Sequence, residues 1–392
     1  MAIVRLGDIC EKIGSGATPR GGKEAYCNEG ISLVRSQNVL DFGFSNDGLA
    51  YINEEQAQKL KNVEVQAGDV LLNITGDSTA RACIMDSTYL PARVNQHVAI
   101  VRGKVELVQS SYILYFLQWK KKYLIQLASA GATRNALTKG MIEKLELNLP
   151  SLREQKKIVS ILDLIQSKIK LNRKINDNLL RQAKAVFAQR FTNIETIPNG
   201  WKKGNLLEIA DYLNGLAMQK YRPNGDEVGL PILKIKELRQ GSCDNNSELC
   251  SPNIKPEYII HDGDVIFSWS GSLLIDIWCG GTCGLNQHLF KVTSKTYDKW
   301  FYYLWTAHHL ERFIAIATDK ATTMGHIKRG ELAKADVLIP SDEDYKEISF
   351  LMNPIFNLIV TNRIKARKLA ELRDELLPKL MSGEIDVSRV QL

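Results

Sequence analysis

The feature that most constrains the fold of this 392-residue chain is an internal repeat of its own sequence. The segment "VNQHVAIV" at 94–101 recurs as "LNQHLFKV" at 285–292, and "AGDVLLNITG" at 67–76 recurs as "DGDVIFSWSG" at 262–271. A catalytic or metal site rarely needs two distant copies of its residues, whereas a duplicated fold unit carries every structural motif twice. The repeat therefore predicts two copies of one unit, roughly 1–195 and 196–392.

Within each copy, the first part has the pattern of a mixed α/β domain. Short apolar runs broken by Gly, Asp and Asn are typical of strands and turns. Longer stretches with apolar residues at helical spacing follow, at 111–129 and 299–317, and their aromatic residues are interpreted as core. We therefore expect one α/β globular domain over residues 1–150 and another over 196–340.

Each globular part is followed by a long predicted helix, at 151–195 and at 341–385, with a short tail at 386–392. Ser151 with Glu154, and Ser341 with Asp344, have the capping-box spacing of a helix start. Apolar residues then advance in steps of four and three, which is the heptad pattern of a coiled coil. The predicted seam consists of Ile158, Leu162, Ile165, Ile169, Asn172, Asn176, Leu179, Ala183 and Val186, and of Ile348, Met352, Ile355, Ile359, Asn362, Ala366, Leu369, Arg373 and Leu376. The fold class is thus two α/β domains joined by two long antiparallel coiled-coil helices with an internal pseudo-two-fold repeat.

Polar residues and prolines qualify this helix prediction. Asn172 and Asn362 occupy equivalent seam positions, and a buried Asn lowers stability but fixes the register of a coiled coil. The alternative is that the helices diverge there and leave both amides in water. Pro354 predicts a kink or a late start of the second helix, and Pro378 predicts its end.

Composition excludes little beyond a membrane protein. A net charge of +7 and a pI near 8.9 are compatible with a nucleic-acid partner without requiring one. No segment is apolar enough for a signal peptide or a membrane span, so we expect a cytoplasmic protein with reduced cysteines. Cys243, Cys250, Cys279 and Cys283 do not have the spacing of a zinc site, and no metal site is predicted.

Sequence motifs of catalysis are missing. The chain has no G-x-x-x-x-G-K-[ST] phosphate loop, no Asn-Pro-Pro-aromatic tetrapeptide and no H-x-x-x-H pair. We therefore expect a chain that is not itself an enzyme. The alternatives are a self-sufficient DNA methyltransferase or nuclease with unrecognised motifs, and a pure protein scaffold.

Two related but divergent domains on long helices suit a target made of two different parts. DNA presents equivalent groove faces about every 34 Å, so such a chain can read two half-sites separated by unread bases. Over nearly its whole length, the chain resembles the specificity subunits of Type I restriction-modification enzymes. The segments that carry the resemblance are "IGSGATPRGG" at 13–22, "AGDVLLNITG", "VNQHVAIV", "GATRNALT" at 131–138, "LELNLPSLREQKKIVSILDLI" at 145–165, "DGDVIFSWSG", "LNQHLF", "LIPS" and "NRIKARKLAELRDELLPKLMSGEI" at 362–385.

The resemblance implies a function and a set of partners. It implies two target-recognition domains that each read one part of a split, asymmetric double-stranded DNA site, with the helices setting the unread gap. It also implies docking of two adenine methyltransferase subunits and two ATP-dependent restriction subunits, with no membrane partner. S-adenosylmethionine, ATP and magnesium are then expected on those partners and not on this chain. The second copy lacks the Gly-Ala-Thr-Pro turn and has "IPSDEDYKEI" in place of "LPSLREQKKI", which leaves its DNA contacts less defined than its fold.

Candidate DNA-reading residues are those that combine suitable chemistry with predicted loops and strand ends. Arg suits guanine and Asn or Gln suits adenine, while Lys and Arg bind phosphates. The candidates are Thr18, Arg20, Lys23, Arg35, Gln37, Asn38, Arg81, Arg93 and Arg134 in the first domain, and Lys220, Arg222, Lys234, Lys236, Arg239 and Lys320 in the second. For each of them, an ordinary solvated surface charge remains the alternative.

The repeated Asn-Gln-His triplet has two interpretations. Its amides could face DNA, or they could brace a turn by satisfying backbone groups. Because the triplet is identical in two domains that should read different sequences, the bracing interpretation is favoured.

Overall fold

A computed structural model describes residues 2–130, 136–319, 325–388 and 390, apart from the side chains of residues 2, 22, 23 and 319. The chain forms two compact units. Unit 1 comprises Met1–Ser167 and Ala370–Leu392, and unit 2 comprises Lys168–Leu369. Each unit therefore takes one globular part, called head one (residues 1–150) or head two (residues 196–340), with a segment of each long helix.

Head one is a mixed α/β domain whose strands form two four-stranded sheets and two short ribbons. Its strands are β1 (Ala2–Arg5), β2 (Cys10–Ser15), β3 (Ile31–Val34), β4 (Val39–Leu40), β5 (Gly43–Phe44), β6 (Ala50–Ile52), β7 (Glu64–Val65), β8 (Val70–Asn73), β9 (Ala82–Ile84), β10 (Ala92–Val94), β11 (Val98–Gly103) and β12 (Glu146–Leu149). Its helices are α1 (Leu6–Ile9), α2 (Glu54–Lys59), α3 (Ser110–Trp119), α4 (Lys121–Ser129) and α5 (Lys139–Glu143), and the long helix α6 (Leu152–Phe187) follows.

One of the two sheets lies in the middle of head one and is buried on both faces. It has the order β2-β11-β8-β9, and the other sheet has the order β6-β3-β10-β7. Along β8, Val70 and Leu72 pack with helices α3 to α5 while Leu71 packs towards the other sheet. Alternate residues of a strand point to opposite faces, which explains why "VLL" at 70–72 is a continuous apolar run with no polar face.

Head two repeats this arrangement. Its strands are β13 (Lys202–Asn205), β14 (Asp211–Asn214), β15 (Leu230–Leu233), β16 (Leu249–Cys250), β17 (Ile259–Ile260), β18 (Val265–Ser268), β19 (Leu274–Ile277), β20 (Cys283–Leu285), β21 (Leu289–Thr293) and β22 (Asp336–Ile339). Its helices are α7 (Leu206–Ile209), α8 (Ile235–Gln240), α9 (Lys299–His308), α10 (Leu310–Asp319) and α11 (Arg329–Ala333), before the long helix α12 (Asp342–Ser382).

Sheet topology confirms the duplicated α/β fold predicted from the sequence. Head two has the sheet orders β14-β21-β18-β19 and β16-β15-β20-β17, which match those of head one strand for strand. In each head the only parallel pairing among the described strands joins equivalent elements, β3 with β10 and β15 with β20. The triplet Asn-Gln-His lies in both heads at the crossover from one sheet to the other, between β10 and β11 and between β20 and β21.

The long helices start at the predicted caps. The Ser151 backbone N–H donates to the Glu154 carboxylate at 2.9 Å, and the Glu154 N–H donates back to the Ser151 hydroxyl at 3.3 Å. The Asp344 N–H donates to the Ser341 hydroxyl at 3.2 Å. A π-helical turn, Ala188–Thr192, extends α6.

Neither Pro354 nor Pro378 interrupts helix α12. Helix α12 runs without a break from Asp342 to Ser382, so the late start at Pro354 and the end at Pro378 are both wrong. Pro354 is exposed, and its neighbours Met352 and Phe356 are buried in the core of unit 2. Packing of these side chains offsets the missing hydrogen bond that a helical proline causes.

In each unit, segments of α6 and α12 pack antiparallel. In unit 1, Lys157 donates to the carbonyl of Val387 and Arg373 donates to the Gln166 side chain. In unit 2, Asn362 donates to Asn176. Most of the predicted seam is buried, but the second seam changes after Asn362: Ala366, Leu369, Arg373 and Leu376 are only half-buried, and Leu377 and Leu380 are buried instead.

The two seam asparagines have different surroundings. The Asn362 amide donates to the Asn176 carbonyl oxygen at 3.1 Å, and Asn176 donates to the carbonyl of Ile359. Asn172 is 4% exposed, and its Nδ2 has no hydrogen-bond partner among the described residues. With the 190-residue offset of the repeat, the counterpart of the Asn176–Asn362 contact is Asn172 with Ala366, which offers no polar side chain.

Candidate nucleic-acid interface

The crossover between the two sheets of head one is built by the Asn-Gln-His triplet. Asn95 is 6% exposed, and its side-chain oxygen accepts the backbone N–H of His97. The His97 ring lies 2.6 Å from the Thr75 hydroxyl through Nδ1 and 3.1 Å from the Gln96 amide through Nε2. These contacts tie the end of β8 to the start of β11.

Head two uses the equivalent residues in the same way. The Asn286 oxygen accepts the N–H of His288, and the His288 ring lies 3.0 Å from the Ser270 hydroxyl and 3.4 Å from the Gln287 amide. Since identical contacts occur in two divergent heads, the geometry favours the bracing interpretation of the triplet.

A glycine directly after β2 in head one, and directly after β14 in head two, lets the chain pack closely against this crossover. A Cβ atom on Gly16 would lie 1.8 Å from the carbonyl oxygen of Val94, and one on Gly215 would lie 2.2 Å from that of Asn286. Both glycines therefore allow a backbone approach that no other residue permits. Although head two lacks the Gly-Ala-Thr-Pro sequence, it keeps the glycine on which the close contact depends.

The turn after β3 carries three predicted DNA-reading residues. Asn38 is fully buried: its oxygen accepts the Arg35 N–H, and its amide donates to the carbonyls of Ser45 and Asp47. The Arg35 guanidinium donates to the carbonyl of Gly48. Gln37 is exposed, and it donates to Gly48 at 3.2 Å while its own oxygen accepts no hydrogen bond from a described residue.

Burial of Asn38 removes it from the candidate interface, because a side chain with every polar group used inside the protein cannot also bind a base. Arg93 is removed for the same reason. It is 5% exposed, donates to the carbonyls of Ala57 and Ala92, and lies 3.4 Å from the Glu64 carboxylate. A buried polar residue in a strand has the same sequence signature as one at a strand end.

The equivalent turn of head two presents different chemistry on the same frame. Glu237 replaces Asn38: it is 4% exposed, and its carboxylate accepts the N–H of Lys234. Lys236 therefore takes the exposed position of Gln37. The Lys234 ammonium donates to Glu248, which also accepts from Arg222 at 2.6 Å. These hydrogen bonds, first from Lys234 and then from Arg222, hold the pKa of the Glu248 carboxyl below its usual value.

A polar cavity lies beside the turn of head one. Its volume is about 430 Å³. Ser36, Gln37, His97 and residues of the turn from Thr75 to Arg81 line it. Arg81 is half-exposed, and its guanidinium forms no hydrogen bond or ion pair with any residue that the structure describes.

Asp77 and Ser78 are among the lining residues of this cavity that sequence reasoning missed. Asp77 is exposed and, within the described part of the chain, forms no ion pair. The signal that could have found them is their place in the sequence, in a turn directly after the repeated Gly-Asp strand, where the two copies differ.

The remaining candidates are scattered over the surface. Thr18 is half-buried and Arg20 is exposed, both just after the Gly16 turn. Lys220 and Arg239 are exposed in head two. Arg134, Lys320 and the side chain of Lys23 lie outside the described residues.

A search of the described residues finds no group of three or more His, Cys, Asp or Glu side chains that could hold a metal ion. Cys250, Cys279 and Cys283 are buried, and burial raises the pKa of the Cys279 thiol to about 11. Among the described helices, none has the length and apolar character needed to cross a membrane.

Comparison with known proteins identifies the family. The profile described as "Type I restriction modification DNA specificity domain" matches residues 1–181 and 198–373, once for each copy of the repeat. The Type I restriction enzyme MjaIX specificity subunit of Methanocaldococcus jannaschii is 24% identical over 99% of this chain and 94% of its own. The EcoKI specificity subunit of Escherichia coli is 24% identical over 91% and 82%.

A solved structure shares the fold. The Type I restriction-modification S subunit from M. genitalium has a TM-score of 0.54 and 13% identity, over 97% of this chain and 96% of the other. The two heads and two long helices thus define a DNA-recognition protein of duplicated architecture. The chain belongs to the Type I restriction modification DNA specificity domain family, which confirms the resemblance and the non-catalytic DNA-recognition role predicted from its sequence.

Proposed function

We propose that this chain reads a split, asymmetric DNA site, with one block of bases read by head one and a different block by head two. The proposal rests on one observation: the two heads share the same braced crossover between their sheets but expose different side chains beside it. Asn95 and Asn286 brace the same crossover in the two heads, whereas Gln37 and Lys236 occupy equivalent exposed positions beside it. Two related domains that recognise different base sequences need the same supporting backbone but different polar side chains at the exposed positions.

The unread gap between the blocks is part of the same proposal. Helix α6 has 36 residues and α12 has 41, and a helix rises 1.5 Å per residue. Helices of this length, with buried seam residues in both units, suit a rigid spacer.

Partner subunits would supply the chemistry. We propose that the chain docks two adenine methyltransferase subunits and two ATP-dependent restriction subunits in the cytoplasm, and that S-adenosylmethionine, ATP and magnesium bind there and not here. Exposed apolar side chains at helical spacing, such as Leu171 with Ile175 and Leu351 with Leu358, support a docking role, because clustered apolar side chains on a surface commonly mark protein interfaces. In unit 2 they are Leu171, Ile175, Phe350, Leu351 and Leu358.

The test is a genome-wide map of methylated adenines in cells that express the chain with a methyltransferase subunit of its system. The expected result is one motif with two short specified blocks around a fixed unread gap. Replacing residues 200–340 with the second head of another specificity subunit should change one block and leave the other intact. If the methyltransferase binds the chain but no motif appears, the proposal is wrong and a scaffold role is supported.

A further inference from the structure

The cavity of head one contains hydrogen-bonding groups that the fold does not use. The Arg81 guanidinium and the Asp77 carboxylate have no partner among the described residues, and the Gln37 side-chain oxygen also accepts no hydrogen bond. Five donors and two carboxylate oxygens are therefore free on the wall of one cavity of about 430 Å³. Unused groups of both kinds at one place indicate a ligand that offers acceptors and donors side by side.

A phosphate does not meet that description. The DNA backbone presents only acceptors and negative charge, so an exposed carboxylate beside Arg81 would repel it. A G·C pair, by contrast, presents the O6 and N7 acceptors of guanine next to the amino donor of cytosine in the major groove. Arg is the usual partner of guanine O6 and N7, and Asp or Glu is the usual acceptor for the amino group of cytosine.

Resting on the proposed DNA-reading function, we propose that this cavity reads a G·C base pair within the block recognised by head one. Arg81 donates two hydrogen bonds to guanine, and Asp77 accepts one from the cytosine of the same or the adjoining pair. Gln37 lines the same cavity and offers its oxygen to a neighbouring base.

Head two provides an internal contrast. In head one, Asn73 lies opposite Arg81 across the β8–β9 turn. In head two, the equivalent Ser268 lies opposite Leu274, so Leu274 takes the place of Arg81. The corresponding turn, residues 269–273, reads "WSGSL" and contains no charged side chain. The arginine and carboxylate are thus specific to head one, as expected of groups that select bases and not of groups that build the fold.

The experiment compares methylation motifs of the full chain, co-expressed with its methyltransferase subunit, for the wild type, Arg81→Ala and Asp77→Ala. Lys59→Ala is the control, since it removes an exposed cation from α2 that pairs only with Glu55 among the described residues. We expect block one of the wild-type motif to contain a G·C pair. Arg81→Ala should lower the preference for that guanine roughly tenfold or more, and Asp77→Ala should relax the same or the adjoining pair. Block two and the Lys59→Ala motif should stay unchanged.

Three results overturn the inference while leaving the proposed function intact. They are a wild-type block one without a G·C pair, an Arg81→Ala variant with an unaltered motif, and a uniform loss of methylation at all sites, which indicates a phosphate contact. A wild type without any split motif contradicts the proposed function itself. Thermal unfolding separates these results from misfolding. Arg81→Ala should unfold at the wild-type temperature, because the Arg81 side chain forms no hydrogen bond or ion pair with a described residue that the substitution could remove.

Discussion

At the scale of single residues, the repeated Gly-Asp pair shows what the shared motifs do. Asp69 is completely buried, accepts the backbone N–H of Gln66 and binds Arg102 through both of its oxygens, at 2.6 and 2.7 Å. Its counterpart Asp264 pairs with Lys291 at 2.9 Å. The aspartate thus fixes the turn before the central strand and neutralises a cation on the neighbouring strand.

Asp69→Asn should therefore destabilise the protein strongly. The variant keeps a side chain of the same size but removes the carboxylate that binds Arg102 most closely, leaving the more distant Glu11 carboxylate at 3.7 Å. Breaking a buried ion pair costs about 3 kcal/mol. Urea unfolding monitored by circular dichroism measures this loss. Glu55→Gln is the matched control, because its pair with Lys59 is exposed and an exposed ion pair contributes little to stability. Equal midpoints for the two variants would contradict the assigned role of Asp69.

The sequence identified the residue types of the interface better than their positions. Gln37 and Arg81 were predicted and do line one cavity. Asn38 and Arg93 carry the same side-chain chemistry but are buried, since the direction in which a turn residue points depends on strand pairing far away in the sequence. The sequence did not point to Asp77, because a carboxylate repels the phosphates of DNA and is therefore not an expected DNA contact.

At the scale of elements, the heptad pattern predicted both helices and most of their buried seam, but not the partners of its polar positions. Two antiparallel helices can be offset along each other in several ways, and the spacing within one helix does not determine that offset. The pairing of Asn362 with Asn176, and not with Asn172, follows from the offset. Asn172 is left with a buried nitrogen that has no hydrogen-bond partner in the described part of the chain.

The two asparagine substitutions should therefore change the stability of the protein differently. Asn172→Leu replaces an unpaired buried amide with apolar surface and should raise stability by about 1 kcal/mol. Asn362→Leu removes the donor that Asn176 accepts, so the gain from burial is offset by the unpaired oxygen. Thermal unfolding should rank Asn172→Leu above both the wild type and Asn362→Leu. The reverse order of the two variants would mean that Asn172 has a partner when the protein is in solution.

The helix caps predict how stability depends on pH. Hydrogen bonds from Ser151 lower the pKa of the Glu154 carboxyl, and hydrogen bonds from Ser341 and then Trp201 lower that of Asp344. A carboxyl with a lowered folded-state pKa stabilises the fold fully above its unfolded pKa of about 4. This contribution is lost as the pH falls through the folded-state value.

Replacing both cap serines, in Ser151→Ala with Ser341→Ala, should therefore weaken the acid dependence of stability. At neutral pH each substitution should cost about 1 kcal/mol through the lost cap. Between about pH 6 and pH 3, the double variant should lose less stability than the wild type, because the two carboxyl pKa values return towards their unfolded values. Ser129→Ala removes a hydroxyl whose one hydrogen bond to a described residue is to the Ile125 carbonyl of its own helix, and it should leave the pH dependence as it is. Parallel pH profiles for the double variant and the wild type would contradict this account.

At the scale of the whole molecule, the duplication was the most informative property of the sequence. It predicted two heads with one topology, because a repeat that preserves Gly-Asp and Asn-Gln-His at corresponding places preserves the contacts that those residues make. It did not predict the continuous helix through Pro354, since the apolar packing of Met352 and Phe356 that holds the helix together is a tertiary property.

The long helices carry the exposed apolar side chains on which the proposed docking of partner subunits depends. Phe350 on α12 is 82% exposed and Leu171 on α6 is 50% exposed, and large apolar side chains that stay in water gain free energy when a partner covers them. Phe350→Asp and Leu171→Asp should each reduce co-purification of the methyltransferase subunit by about tenfold, since burying an unpaired carboxylate costs more than 1.4 kcal/mol. Val228→Asp is the matched control, because Val228 is 88% exposed on head two and lies away from the helices in the sequence. If all three variants retain the methyltransferase equally, docking must occur elsewhere on the chain. If all three lose it equally, the effect arises from added negative charge and not from lost apolar contact.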